Sequence, residues 1–383
     1  MLDYYRFGIE EEYFVSSAKT RQTPKHLPKR FLQDIRRALP EILRSEMLQS
    51  QIEVATPPSQ EMGAALEVLG GYRRMLAAIA DENALQVIAS GTHPLARWDG
   101  QTANRKPRYD RLMHELQMLG SRNILCGLHV HVSVPDPSRR IDLMRRLIPF
   151  LPVFLALSTS SPFWQARRTG LMGYRLAAYD ELPRTGIPEL FSSEAEYRSY
   201  VDTLVETRAI PDESYIWWAV RPSAKYPTLE LRISDSCTRV EHTVAIAALY
   251  RCLVRHLVKN ESLNCSIGAA DRAIALENKW IAQRHGIHGA FIDAATKTVR
   301  PLGDIVEDMI AMLEGDAIAL QCRDELLGLR HILTFGTSAD QQIALEIDAR
   351  GRGRSPGEAL GDVVDWLAEA TRGRDAAARP TMH

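Results

Sequence analysis

The sequence lacks any apolar run long enough to cross a bilayer. Its most hydrophobic stretch, residues 147–157 (LIPFLPVFLAL), falls well short of the roughly 20 residues required and holds Pro149 and Pro152, so it reads as a buried, kinked helix. Neither sign of charge is in excess. With 47 basic and 48 acidic side chains the net charge is −1, which argues against a general nucleic-acid or anionic-membrane binder, since these carry a basic surplus. Cysteine is sparse: Cys126, Cys237, Cys252, Cys265 and Cys322 are odd in number, far apart and form no CxxC, so neither a disulfide framework nor a zinc knuckle is indicated. A reducing cytoplasm is the expected compartment. The first residues, MLDYYRFGIEEEY, lack the basic start and apolar stretch of a targeting peptide. There is no GxxxxGK[ST] loop and no GxGxxG, so a bound nucleotide would be held without a Walker or Rossmann cradle.

What is present is enough chain, 383 residues, to bury a substantial core, and a regular alternation of apolar patterns. Helical periodicity marks residues 61–82, 109–119, 138–158, 240–259, 272–284, 302–313 and 317–333, and Ser193 with Glu196 forms a capping box ahead of a helix over 197–207. Strand-like alternation marks 5–15, 48–55, 85–90, 127–134, 215–220 and 228–234. The strands lie in the first 235 residues and the rest reads as almost wholly helical, ending in a polar tail. With no internal repeat or low-complexity linker, the pattern predicts one α+β domain over 1–350: a curved, mostly antiparallel sheet with helices on its outer side. Residues 351–383 are expected to form a polar tail with room for a short helix, mobile at 351–355 and 372–383.

Four of these strands carry chemistry on one face. Side chains two apart in a strand share a face, so Glu10 and Glu12 in GIEEEYF project together, about 7 Å apart, and repel unless a cation lies between them. Gln49, Gln51 and Glu53 form the polar face of LQSQIEVA. His129, His131 and Ser133 stand opposite an apolar face in GLHVHVSV, and Glu230 and Arg232 do so in TLELRIS. Singly, each pattern fits a solvated strand or a satisfied histidine. Together they describe a sheet whose concave side is a site. Several carboxylates with imidazole favour hard cations such as Mg²⁺ or Mn²⁺ over zinc, and such ions commonly serve phosphate.

The segments GIEEEYF, SQIEVATPP, GTHPLARW, GLHVHVSV, LMGYR with LPRTGIP, TLELRISD and ENKWIAQRHG resemble, in order from about residue 5 to about residue 315, the carboxylate-amine ligases, also called glutamate-cysteine ligase type 2. That group belongs to the glutamine synthetase-like superfamily. The resemblance implies a funnel over a curved antiparallel sheet, and an ATP-dependent carbon–nitrogen ligase. Such an enzyme would phosphorylate a substrate carboxylate, the γ-carboxylate of glutamate, and then let an amine such as cysteine attack it. Carried over by position, Glu10, Glu12, Glu53, His129 and Glu230 would hold divalent ions. His129, His131, Arg232, Asn278 and Arg284 would contact the nucleotide, and Arg232, Glu53 and Arg175 would serve the reaction. ATP and Mg²⁺ or Mn²⁺ are the expected cofactors, small molecules the expected partners, and assembly into a homo-oligomer through residues 215–220 is left open.

Other residues admit two readings. His93 could reach the mouth of the site or cap a turn. Arg184 could grip a carboxylate or lie at the surface. Trp217 and Trp218 could both be core, or one could stack on a ligand. Asn278 and Arg284 lie six apart on a helix, about 240° around its axis, so they do not share a face. The competing functional readings are a zinc hydrolase built on His129 and His131 and a non-catalytic ligand-binding relative.

Overall fold

The computed structural model describes residues 4–40 and 42–373. Its strands in chain order are β1 (Phe7–Ser17), β2 (Leu43–Ser45), β3 (Gln51–Ala55), β4 (Leu85–Ile88), β5 (Gly127–Ser133), β6 (Phe163–Trp164), β7 (Arg167–Arg168), β8 (Val220–Pro222), β9 (Thr228–Asp235), β10 (Ala290–Asp293) and β11 (Thr298–Pro301). Seven of them build one antiparallel sheet in the order β2-β3-β1-β5-β9-β8, with β4 paired to the far end of β1. The pairs β6–β7 and β10–β11 are separate hairpins.

Alternation decides which face is buried. Phe7, Ile9, Tyr13 and Val15 of β1, Leu128, Val130 and Val132 of β5, and Leu229, Leu231 and Ile233 of β9 are fully enclosed. Helices cover that side, chiefly Met62–Glu82, Leu151–Ser158 and Val240–Lys259, whose centre, from Val244 to Val254, is buried all round. One charged residue of β1 also points inward. Glu11 accepts from Arg73 Nε at 3.1 Å and Nη2 at 2.5 Å, from Thr243 Oγ1 at 2.7 Å and from the Tyr13 hydroxyl. Arg73 also donates to the carbonyls of Cys237 and Thr238, which ties the middle of β1 to the turn that follows β9. The acidic strand is thereby pinned from below, and Glu10 and Glu12 stand on its upper face.

The α+β architecture expected from the pattern is present. The long helix expected over 138–158 is broken, as its prolines dictate, into Arg140–Leu147, a 3₁₀ turn and Leu151–Ser158. The region after β9 is not wholly helical, because β10 and β11 form a hairpin within it. Residues 215–220 are not an interface strand: Tyr215, Ile216, Trp217, Trp218 and Val220 are buried within the chain. The segment expected to be a polar tail contains a helix of sixteen residues, Pro356–Thr371, capped by Ser355 and Glu358. Its Leu360, Val363, Val364 and Leu367 pack with Phe14 of β1 and Ile88 of β4, so the tail reading fails at 356–371; residues 374–383 lie outside the described part. No helix among the described residues is long and apolar enough to cross a membrane.

Candidate functional site

The upper face of the sheet gathers the polar side chains by register. Glu12 of β1 stands opposite Glu53 of β3, and Glu53 opposite Arg44 of β2. Glu10 faces His129 of β5, His131 faces Glu230 of β9, and Glu230 faces Arg221 of β8. An irregularity in the β5–β9 pairing gives β9 one extra residue opposite His129. There the amides of both Arg232 and Ile233 bond to the carbonyl of Ala219. Gly127 is required at the start of β5, because a Cβ there would lie 2.2 Å from Arg175 Nη2. Its bare amide donates to Glu12 Oε2 at 2.6 Å.

Two groups of donor atoms result. Glu10, His131 and Glu230 can each place one ligand atom within 4.8 Å of the others, and so can Glu12, Glu46 and Glu53. The charges in these groups are unequally balanced. Burial would raise the Glu10 carboxyl, but the facing imidazoles of His129 and His131 outweigh it and hold it well below its ordinary range. Burial would likewise raise Glu230; the Arg221 and Arg232 guanidinium groups prevail, Arg221 Nε donating at 2.8 Å, and keep it ionised. Glu53 is pushed well above its ordinary value by burial and by the charges of Glu10 and Glu46. Glu46 is pushed up to about 7 by burial and by Glu12. The second group therefore has more negative charge than the protein neutralises.

These donors suit divalent cations. The set is carboxylate oxygen with imidazole nitrogen and no thiolate, which fits Mg²⁺ or Mn²⁺. His129 lies between the groups, with Nδ1 3.5 Å from Glu10 and Nε2 3.8 Å from Glu12, and both buried nitrogens lack a hydrogen-bond partner. Burial, then the Arg232 charge, lowers its basicity and keeps the ring in the neutral, ligating form. His129 belongs to neither donor group, so the two histidines do not converge on one ion as a zinc pair would.

Two chambers meet at this face. The basin floor, a cavity of about 650 Å³, carries both donor groups and has an apolar wall of Leu112, Leu116, Leu182 and Trp217. A second cavity of about 720 Å³ opens beside Glu10 and His131 and is lined by Ala55, Pro58, Tyr226 and Pro227. Glu10, Arg44, His131 and Tyr226 line both.

Of the residues singled out in the sequence, Glu10, Glu12, Glu53, His129, His131, Arg175, Glu230 and Arg232 line the basin. Asn278 and Arg284 do not. Asn278 is buried and bonds both to and from the backbone of Ile292, pinning β10, while Arg284 is exposed, as expected for positions 240° apart on one helix. Arg175 is at the floor, but its guanidinium is occupied by the carbonyls of Ser234 and Arg232, at 3.1 and 3.4 Å, and so shapes β9. His93 is a buried cap: its Nδ1 accepts from the amides of Leu95 and Ala96, each at 3.1 Å. Arg184 bonds to the Tyr215 carbonyl and lies over the ring of Trp217, outside the basin, whereas Trp218 stacks on Tyr200 in the core. Three further residues of the basin, Arg44, Glu46 and Arg221, are not singled out by the strand patterns. The signal for two of them was the alternation Leu43, Ser45, Met47 against Arg44, Glu46, too short to stand out.

A profile of glutamate-cysteine ligase family 2 matches residues 6–364. A Bradyrhizobium protein (strain ORS 278), provisionally named glutamate–cysteine ligase 2, is 46% identical over 370 residues, which cover 97% of this chain and 88% of the relative. A Rhodospirillum rubrum protein of the same provisional name is 40% identical over 371 residues, covering 96% and 95%. Among solved structures, a bifunctional glutathione synthetase from Pasteurella multocida superposes with a TM-score of 0.71 at 15% identity, over 96% of this chain and 53% of that one. A glutamate–cysteine ligase from Francisella tularensis, solved with AMP, gives 0.67 at 12% identity, over 97% and 90%. At such identities the solved structures establish a common fold, and the sequence match establishes kinship. The chain belongs to glutamate-cysteine ligase family 2.

Proposed function

We propose that this protein is an ATP-dependent carboxylate–amine ligase that joins the γ-carboxylate of glutamate to an amine, cysteine being one acceptor, through an acyl phosphate. The observation that carries the reading is that two groups of acidic donors lie side by side on one sheet face, where two chambers share Glu10 as a wall. In this reading the donor carboxylate oxygen attacks the terminal phosphorus of ATP, the bond to the bridging oxygen breaks and ADP leaves. The amine then attacks the acyl carbon and loses a proton, and phosphate departs with the C–O bonding pair.

No nucleophilic side chain is needed, so the chain contributes position and charge. Glu10, His131 and Glu230 would hold one divalent ion and Glu12, Glu46 and Glu53 another, Mg²⁺ or Mn²⁺, to neutralise phosphate oxygens. Arg232, kept charged beside Glu230, faces the basin as an anion partner for the transferring phosphoryl group. Arg175 supports the stretch of β9 that aims Arg232. The second chamber, with its apolar walls and its contact with one donor group alone, suits the adenine ring. The amine would enter over the apolar wall of the basin that carries both donor groups.

The test is ADP release measured with glutamate and a panel of amines including cysteine, in Mg²⁺ and in Mn²⁺. Release that requires both an amino acid and an amine supports the reading. No such release with any pair in either ion overturns it.

A further inference from the structure

One cation in the basin belongs to the protein and has no evident structural duty. Arg44 Nη1 lies 2.5 Å from Glu10 Oε1 and 3.3 Å from Glu53 Oε1. Those carboxylates belong to different donor groups, so a single guanidinium nitrogen spans both. The contrast with Arg221 is informative. Arg221 is anchored by the carbonyls of Ser214 and Ile216 in addition to Glu230, whereas among the described residues Arg44 shows hydrogen bonds to the two glutamates alone. Arg44 is 44% exposed, while its partners Glu10 and Glu53 are 14% and 11% exposed.

We propose that Arg44 is a tethered placeholder cation: it joins the two donor groups when divalent ions are absent and swings out when they bind. The inference rests on the reading of the basin as a divalent-ion site. Its physical basis is competition for the same oxygens. An ion bound to Glu10 sits about 2.0–2.6 Å from the oxygen, in the space that the guanidinium nitrogen fills. Without any cation, five carboxylates around one basin repel one another, which explains why a basic side chain is drawn in. A half-exposed ion pair is weak and loses little when the arginine returns to water, so an ion with three ligands displaces it. Once displaced, the guanidinium stands at the boundary of the two chambers, where a triphosphate reaching from one to the other would pass it.

Mn²⁺ binding, followed by the spin-resonance signal of the free ion in the absence of nucleotide, tests this. Arg44→Gln should bind Mn²⁺ about five- to tenfold more tightly than wild type, because its competitor is gone, and Arg44→Lys, which keeps the charge, should stay within about twofold. Equal or weaker binding by Arg44→Gln would make Arg44 a fixed strut and overturn the proposal. If that variant does not fold, the wild type still decides: Mn²⁺ should accelerate modification of Arg44 by phenylglyoxal, read by peptide mass spectrometry, and an unchanged or slower rate refutes displacement. Absence of Mn²⁺ binding in the wild type sinks both this inference and the metal-site reading. Binding that leaves Arg44 unaffected sinks this inference alone.

Discussion

Glu53 and Glu230 are both buried carboxylates of the basin, yet their removal should have unequal effects on folding. Glu230 sits between two guanidinium groups that keep it ionised, so Glu230→Gln leaves Arg221 and Arg232 buried without their partner. A cost of about 3–5 kcal/mol is expected, seen as a lower urea midpoint. Burial, and after it the crowding of Glu10, Glu46 and Glu12, raises the Glu53 carboxyl well above its ordinary value, so its charge costs stability that a neutral Gln does not. Glu53→Gln should therefore be as stable as wild type without metal. Both changes should lower ion-dependent ADP release by about 10²-fold or more, since each deletes a charge that the reaction uses. A titration effect belongs to this scale too. Burial pushes His93 down to about 3, and His242 likewise, with help from His331. The unfolded chain protonates these imidazoles near 6.5, so between about 6.5 and 3 it binds more protons than the native protein does, and stability falls as the solution is acidified through that window. Each group contributes a slope of about 1.4 kcal/mol per pH unit. His93→Asn can offer Leu95 and Ala96 an acceptor without taking up a proton, so its unfolding free energy should show a shallower acid dependence than wild type, compared by urea titrations at several pH values.

Among the elements, the helix Pro356–Thr371 covers the outer end of β1 and β4 through Leu360, Val363 and Leu367. Leu367→Ala should lower the unfolding free energy by about 2–5 kcal/mol, while Mn²⁺ affinity stays at the wild-type value because the helix does not touch the basin. A matching loss of ion affinity would show the two regions to be coupled. This helix also shows where sequence reading reached its limit. β1, β5 and β9 were legible because each is long enough for alternation to separate an apolar from a polar face, and that fixed Glu10, Glu12, His129, His131, Glu230 and Arg232 on one side. β2 has three residues, too few for its alternation to stand out, so the pattern does not single out Arg44 and Glu46 even though register sets Arg44 beside Glu53. Asn278 and Arg284 rest on likeness alone, and their spacing of six agrees with their absence from the basin lining. The last helix is masked in the sequence by its polar preceding GRGRS and closing residues, although Ser355 and Glu358 mark its start and its apolar positions recur at helical intervals.

Taken as a molecule, the chain is nearly neutral, with a net charge of −1, yet it concentrates Glu10, Glu12, Glu46, Glu53 and Glu230 in one basin. A ligand that binds only the native state stabilises it by about 2.7 kcal/mol at a hundred times its dissociation constant. Saturating Mn²⁺ or Mg²⁺ should accordingly raise the melting temperature, a chelator should reverse the rise, and the gain should vanish in Glu53→Gln if the second donor group is where the ion sits. The boundary formed by Glu10, Arg44, His131 and Tyr226 has a further consequence, because each of these side chains belongs to both chambers. Any occupant that shifts them on one side alters the welcome awaiting a guest on the other, and thermodynamic reciprocity requires the second guest to return the favour by the same factor.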